Sequence, residues 1–178
     1  MATPPDFVAD QVLTAAQMNA VGLWLIKTET IGSAVATVTV TNAFSADYDN
    51  YRVIISKSDC SANNAAVFAR LHAGATHDSA FGRVDYTGTA SAGAHTNSTS
   101  GSYVGFTGSN NDTNLAFDIF GPFLAEYKNY AGHNGSGAFI SYTGGVDKSA
   151  TSRTNLTLTI SGAGTLTGGT VRIYGYRD

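Results

Sequence analysis

The chain has 178 residues, a length typical of one domain, with 43% hydrophobic but only 13% charged residues. This balance is too apolar for a disordered chain and too poor in charge for a coiled coil or a charged helical bundle. The formal net charge of −3, with only 10 Lys and Arg, argues against a nucleic-acid-binding surface. Abundant Gly, Ser and Thr beside Val, Tyr and Phe favour an all-β chain.

The first 22 residues differ from the rest of the chain. Two consecutive prolines favour an extended start, and Thr14 followed by Gln17 forms a capping box that predicts a short helix over Thr14–Ala20. Gly22 supplies its C-terminal stop. A helix of about two turns is unstable alone, so it must dock on its own domain or on a partner. We therefore divide the chain into an N-terminal attachment segment, 1–22, and a β-domain, 23–178.

From residue 23 onward, apolar residues recur with a period of two. The clearest case is Leu156, Leu158 and Ile160, which alternate with polar residues as in a strand with one buried face. Nine or ten such runs are visible, at 22–31, 34–41, 50–58, 65–74, 80–87, 102–107, 113–121, 136–143, 154–161 and 169–177. Turn-forming residues separate them. The sequence thus predicts an antiparallel β-sandwich, for which we favour a jelly-roll-like arrangement.

The stretch Thr87–Ser102 contains no apolar residue larger than Ala. It is therefore expected to lie outside the core, as an exposed loop or long hairpin tip. Loops held by a rigid scaffold often carry binding function, although a spacer without a partner is an equally open alternative. The candidate contact residues are His95, Thr96, Asn97 and, just after the stretch, Tyr103.

No catalytic or ligand-binding motif stands out. The spacing of the four histidines does not provide convergent zinc ligands, so His72, His77, His95 and His133 are interpreted as solvated or sheet-edge residues. Cys60 is the single cysteine, which excludes an intrachain disulfide. The chain lacks a Gly-x-Ser-x-Gly nucleophile motif and a phosphate loop between a strand and a helix. We expect no enzymatic activity, no metal, no cofactor and no membrane partner.

Several short segments, spread over nearly the whole chain, form a distinctive combination. They are Val12–Asn19, Trp24–Ile26, Ile31–Ser33, Phe44–Ser45, Tyr48–Val53, Phe120–Tyr127 and Gly168–Arg177. Together these segments resemble small tail-associated and fibre-like virion proteins of tailed bacteriophages, and the C-terminal segment is the most distinctive of them. Residues 60 to 112 carry no part of the resemblance.

The resemblance implies a structural virion protein that is assembled in the host cytoplasm and located in the virion. Its N-terminal segment would dock to the particle through Leu13, Thr14, Gln17, Met18 and Asn19. The β-domain would project outward as a homotrimeric tail fibre or tail tip component that contacts the host surface. Other phage virion proteins are the implied partners. Whether a host-surface glycan or receptor is a further partner is left open. A capsid decoration protein (head cement or head fibre) and a carbohydrate-binding module are the alternatives.

Overall fold

The computed structural model describes Val12 and residues 22–108, 112–136 and 138–176. This part of the chain is all-β, contains no α-helix and has one 3₁₀ turn, Ser161–Ala163. The strands, in chain order, are β1 (Trp24–Thr30), β2 (Thr37–Val40), β3 (Asn50–Cys60), β4 (Ala66–Arg70), β5 (His77–Asp85), β6 (Ala90–Ser98), β7 (Ser102–Phe106), β8 (Asp112–Phe120), β9 (Lys128–Gly135), β10 (Phe139–Asp147), β11 (Leu156–Ile160), β12 (Leu166–Thr167) and β13 (Thr170–Tyr176).

The strands form two antiparallel sheets. The large sheet has the order β1-β13-β3-β8-β9-β10-β5-β6, with β12 paired to the end of β3. The small sheet has the order β2-β11-β4-β7. In the large sheet, Val53 pairs with Ile173 on one side and with Phe117 on the other. This register aligns the apolar positions of three strands on one face.

One apolar core joins the two sheets. The large sheet contributes Val53, Phe117 and Ile173 from its β13-β3-β8 half, and the small sheet contributes residues such as Val40 and Leu158. All five are buried, and full burial of a side chain of this size contributes about 1.5–3 kcal/mol. This half of the molecule therefore supplies most of the apolar burial.

The other half of the large sheet, β9-β10-β5-β6, has a different inner face. Strand β7 of the small sheet packs against it, and the buried side chains there include many polar groups. Asn134 bridges the sheets, because its Nδ2 donates to the Phe106 carbonyl (2.8 Å) while its Oδ1 accepts from the Phe106 amide (3.1 Å). The side-chain amide thus pairs with β7 as a neighbouring strand would.

All ten predicted strand regions contain a strand, but β6, β9 and β12 were not predicted. The expectation of a loop over Thr87–Ser102 is wrong for Ala90–Ser98, which forms β6 and pairs with β5. Backbone pairing needs no large side chain, so small residues suffice for a strand at the sheet edge. The predicted helix over Thr14–Ala20 lies outside the described residues.

Candidate functional site

The outward side of the large sheet is charged on one half and uncharged on the other. On the β13-β3-β8 half, Arg52 forms a bidentate ion pair with Asp118, with Nε–Oδ1 and Nη2–Oδ2 distances of 2.9 and 2.8 Å. Arg172 lies beside them, opposite Ile54. This half is an ordinary solvated sheet surface.

Four strands, β9, β10, β5 and β6, form the other half. Their twelve central outward residues are all exposed and include no Lys, Arg, Asp or Glu. We call them the uncharged face: Ala131, His133, Gly135, Ile140, Tyr142, Gly144, Ala80, Gly82, Val84, Ala90, Ala92 and Ala94. Tyr142 is 67% exposed. An exposed, largely apolar patch of this kind marks an interaction site.

A shallow groove of about 400 Å³ runs along the uncharged face, lined by residues that include Gly82, Ala92 and Tyr142. A Cβ atom added to Gly82 would meet nothing within 4 Å, so the floor of the groove is open. The only charged residue in its lining, Arg83, turns its guanidinium inward, 4.8 Å from the ring centre of Phe139. The groove therefore offers apolar surface and few hydrogen-bonding groups.

Beneath this half lies an aromatic cluster. It consists of Phe68, Phe81, Tyr103, Phe106 and Phe139, joined by the imidazole of His95. His95 stacks on Tyr103 with ring centres 4.4 Å apart, and its Nε2 lies 2.7 Å from the Ser79 hydroxyl. The expectation that Thr87–Ser102 stays out of the core is therefore wrong at His95, whose ring packs inward.

The remaining candidate contact residues are placed differently. Thr96 and Asn97 are exposed. The backbone N–H of Asn97 donates to Asp78 Oδ1 (2.8 Å), and its side-chain oxygen accepts from Lys148 Nζ (2.9 Å). Lys148 also forms an ion pair with Asp78 at 2.6 Å. The structure thus separates the four candidates into two inward residues and two outward residues. The predicted docking residues Leu13, Thr14, Gln17, Met18 and Asn19 lie outside the described part of the chain.

A buried polar cluster lies on the inner side of β5, β9 and β10. Asp147 is the cross-strand partner of both His77 and Lys128. Lys128 Nζ donates to the carbonyl oxygens of Ser149 (2.5 Å) and Thr151 (2.8 Å). Burial lowers the pKa of Lys128, and the negative charge of Asp147 partly opposes this. The cluster ties the start of β9 to the loop after β10.

This cluster contains the three residue types of a catalytic triad, in His77, Ser102 and Asp147. His77 Nδ1 lies 3.2 Å from Ser102 Oγ, a nucleophile–base distance. All three side chains are completely buried, so a substrate has no access to Ser102 in this structure. The geometry instead links β5 to β7. The interpretation of His77 as a solvated or edge residue is wrong, and because the inward residues of β5 are mostly polar, no apolar alternation along the sequence could have placed it inward.

We predict that the protein loses stability between pH 7.5 and pH 5.5. Burial lowers the pKa of His77, although Asp147 acts in the opposite direction, and burial likewise lowers the pKa of His95. Below about pH 6.5 the unfolded chain binds protons that the folded chain does not, so the free energy of unfolding falls with pH.

Urea denaturation at both pH values measures this loss. The variants H77Q and H95Q should reduce the difference, and H133Q, at an exposed position, is the control for histidine replacement. Equal stability of the wild type at the two pH values would contradict the prediction.

Comparison with known proteins gives no match to a protein-family model, a curated protein or a solved structure. In the described part of the chain, no group of three or more His, Cys, Asp or Glu residues could hold a metal ion. No helix within the same residues has the length and apolar character needed to cross a membrane.

Proposed function

We propose that this chain is a structural virion protein of a tailed bacteriophage. In this proposal, residues 1–22 dock to the particle and the β-domain projects outward as a tail fibre or tail tip component that contacts the host surface. The uncharged face carries the proposal, because a broad exposed surface without charge suits assembly with other protein. The resemblance to small virion proteins supports the same role and a homotrimeric state.

The strand order supports the jelly-roll-like arrangement as part of this proposal. The strand order of the small sheet is β2-β11-β4-β7. When the β9–β10 hairpin is treated as an insertion, the corresponding strands of the large sheet have the order β3-β8-β5-β6. In this interpretation the eight strands correspond to the interleaved order of a jelly roll, and β1 and β13 are additions at the sheet edge. Viral capsid and lectin domains use this architecture. Because one fold serves many functions, the strand order adds to the proposal without carrying it.

Deletion of residues 1–21 tests the proposal. All strands that the structure describes are retained, since β1 begins at Trp24, so the far-UV circular dichroism of the truncated protein should keep its β signature. Incorporation into phage particles should be lost, as measured by immunoblotting of purified particles. Normal incorporation of the truncated protein would contradict docking through the N-terminal segment.

The location of the full-length protein tests the tail assignment. Gold-labelled antibody should mark the tail or its tip in electron micrographs of intact particles. Labelling of the head would instead support the capsid decoration alternative. The absence of the protein from purified particles would overturn the virion proposal itself.

A further inference from the structure

We infer that a second copy of this chain covers the uncharged face. The inference rests on the proposed function for its biological setting, because a virion part assembles from repeated copies. It adds the surface through which those copies meet. Its physical basis lies in the exposure, area and chemistry of that face and of the adjoining strand edge.

The contrast between the two halves of one sheet is the first argument. Both halves expose their outward side, yet Arg52, Asp118 and Arg172 all lie on the β13-β3-β8 half. On the other half, the border residue Asp78 is neutralised by Lys148 at 2.6 Å. Solvent-facing sheets normally carry polar residues on their open side. The uncharged half therefore has the composition of a covered sheet.

The area of the face is the second argument. Four strands about 4.8 Å apart, with three outward residues each about 6.8 Å apart, cover about 400 Å² in projection. The largest apolar patch on a typical monomer is of this size and is often functional. A standard interface uses about 800 Å² of accessible surface on each partner. The face is thus large enough to form the centre of such an interface, with neighbouring residues such as Tyr86 as its rim.

The edge of the same half is the third argument. Strand β6 ends the large sheet with the residues ASAGAHTNS, which include no proline and no charged residue. At the opposite edge, β1 carries Lys27 and Glu29 and has a register irregularity between Leu25 and Lys27. Charges and irregularities of this kind prevent edge strands from pairing with other chains. Strand β6 also has a register irregularity, opposite His77–Ser79, so the two edges of the large sheet differ in charge: β1 carries charged side chains and β6 carries none.

The chemistry of the face favours a copy of this chain over a glycan. A sugar requires several hydrogen bonds in addition to aromatic stacking, and the groove beside Tyr142 is lined mainly by Gly, Ala, Val and Ile. A second copy is a compatible partner because only 13% of its residues are charged. Little charge would therefore lose its hydration when the two copies meet. Ala and Gly also allow two backbones to approach closely.

The test compares two tyrosine-to-lysine substitutions on the outward side of the same sheet. Y142K places a charge in the uncharged face, and Y174K, on β13 beside Arg52, is the matched control. By light scattering and sedimentation at micromolar concentration, the wild type and Y174K should be oligomeric. Y142K should be monomeric or at least 10-fold weaker in self-association. A92E, in the centre of β6, is the second variant should Y142K fold poorly, as judged by circular dichroism.

Each outcome decides the inference. A monomeric wild type, or a Y142K protein with unchanged mass, would overturn it. A monomeric wild type that binds glycans on an array through Tyr142 would replace it with carbohydrate recognition. Because self-association is measured on pure protein and incorporation on particles, failure of one proposal is distinguishable from failure of the other.

Discussion

Replacing Gly132 by alanine should destabilise the protein by about 3 kcal/mol, the upper end of the usual cost of overpacking. Gly132 lies on the inner side of β9, where β7 passes close to the large sheet. A Cβ atom added there would lie 2.5 Å from the carbonyl oxygen of Val104 and 2.7 Å from Thr143 Oγ1. The first of these is backbone, so the strand itself would have to shift. Thermal unfolding should show a midpoint lowered by about 10 °C for a chain of this length.

Gly144 provides the matched control on the neighbouring strand. It faces outward, and a Cβ atom there would meet nothing nearer than the Tyr130 carbonyl oxygen at 3.8 Å. G144A should therefore be neutral or more stable by up to about 1 kcal/mol, because glycine is the less favourable residue within a strand. Equal unfolding midpoints for G132A and G144A would show that β7 does not approach β9 as closely as the structure indicates.

The predictable part of the fold is the part with apolar alternation. Part or all of β3, β8, β11 and β13 has a large apolar residue at every second position, as in Leu156, Leu158 and Ile160, because these strands contribute to the core between the sheets. Each inward side chain is buried individually, so the alternation of apolar and polar residues is visible within the sequence of one strand. For this reason the all-β class and ten strand regions could be predicted without knowledge of the pairing.

The strands that were missed follow other rules. In β9 the inward residues are Lys128, Tyr130, Gly132 and Asn134, two of which are normally solvated and one of which has no side chain. They are buried because β7 covers them and because Asn134 pairs with its backbone. These conditions come from strands distant in sequence. The residue pattern of one strand therefore carries no information about these conditions.

The uncharged face illustrates the same limit at the level of the candidate site. Each of its strands contributes only about three outward residues, such as Ala80, Gly82 and Val84 on β5, and no such triplet is unusual alone. The face exists because the antiparallel register places His133, Tyr142, Gly82 and Ala92 side by side. The low charge of the whole chain does not indicate where such a face lies. Its position required the strand order.

Lys128 carries the second large expected effect. K128M should destabilise the protein by about 3–5 kcal/mol, because it leaves the carbonyl oxygens of Ser149 and Thr151 without their donor and Asp147 without a nearby positive charge. Thermal unfolding measures the loss, and K148M is the matched control.

Lys148 contacts a carboxylate oxygen of Asp78 at 2.6 Å, but both side chains are partly exposed. Its replacement should cost only about 0–1 kcal/mol, as for other surface ion pairs. Combining K128M with D147N should cost less than the sum of the single substitutions, since the neutral amide no longer needs compensation. A K128M protein as stable as K148M, or strict additivity with D147N, would mean that the buried polar cluster does not act as one unit. Contact distance does not separate the two lysines, since Lys128 Nζ lies 2.5 Å from the Ser149 carbonyl oxygen. Burial should decide the order because solvent screens the exposed pair.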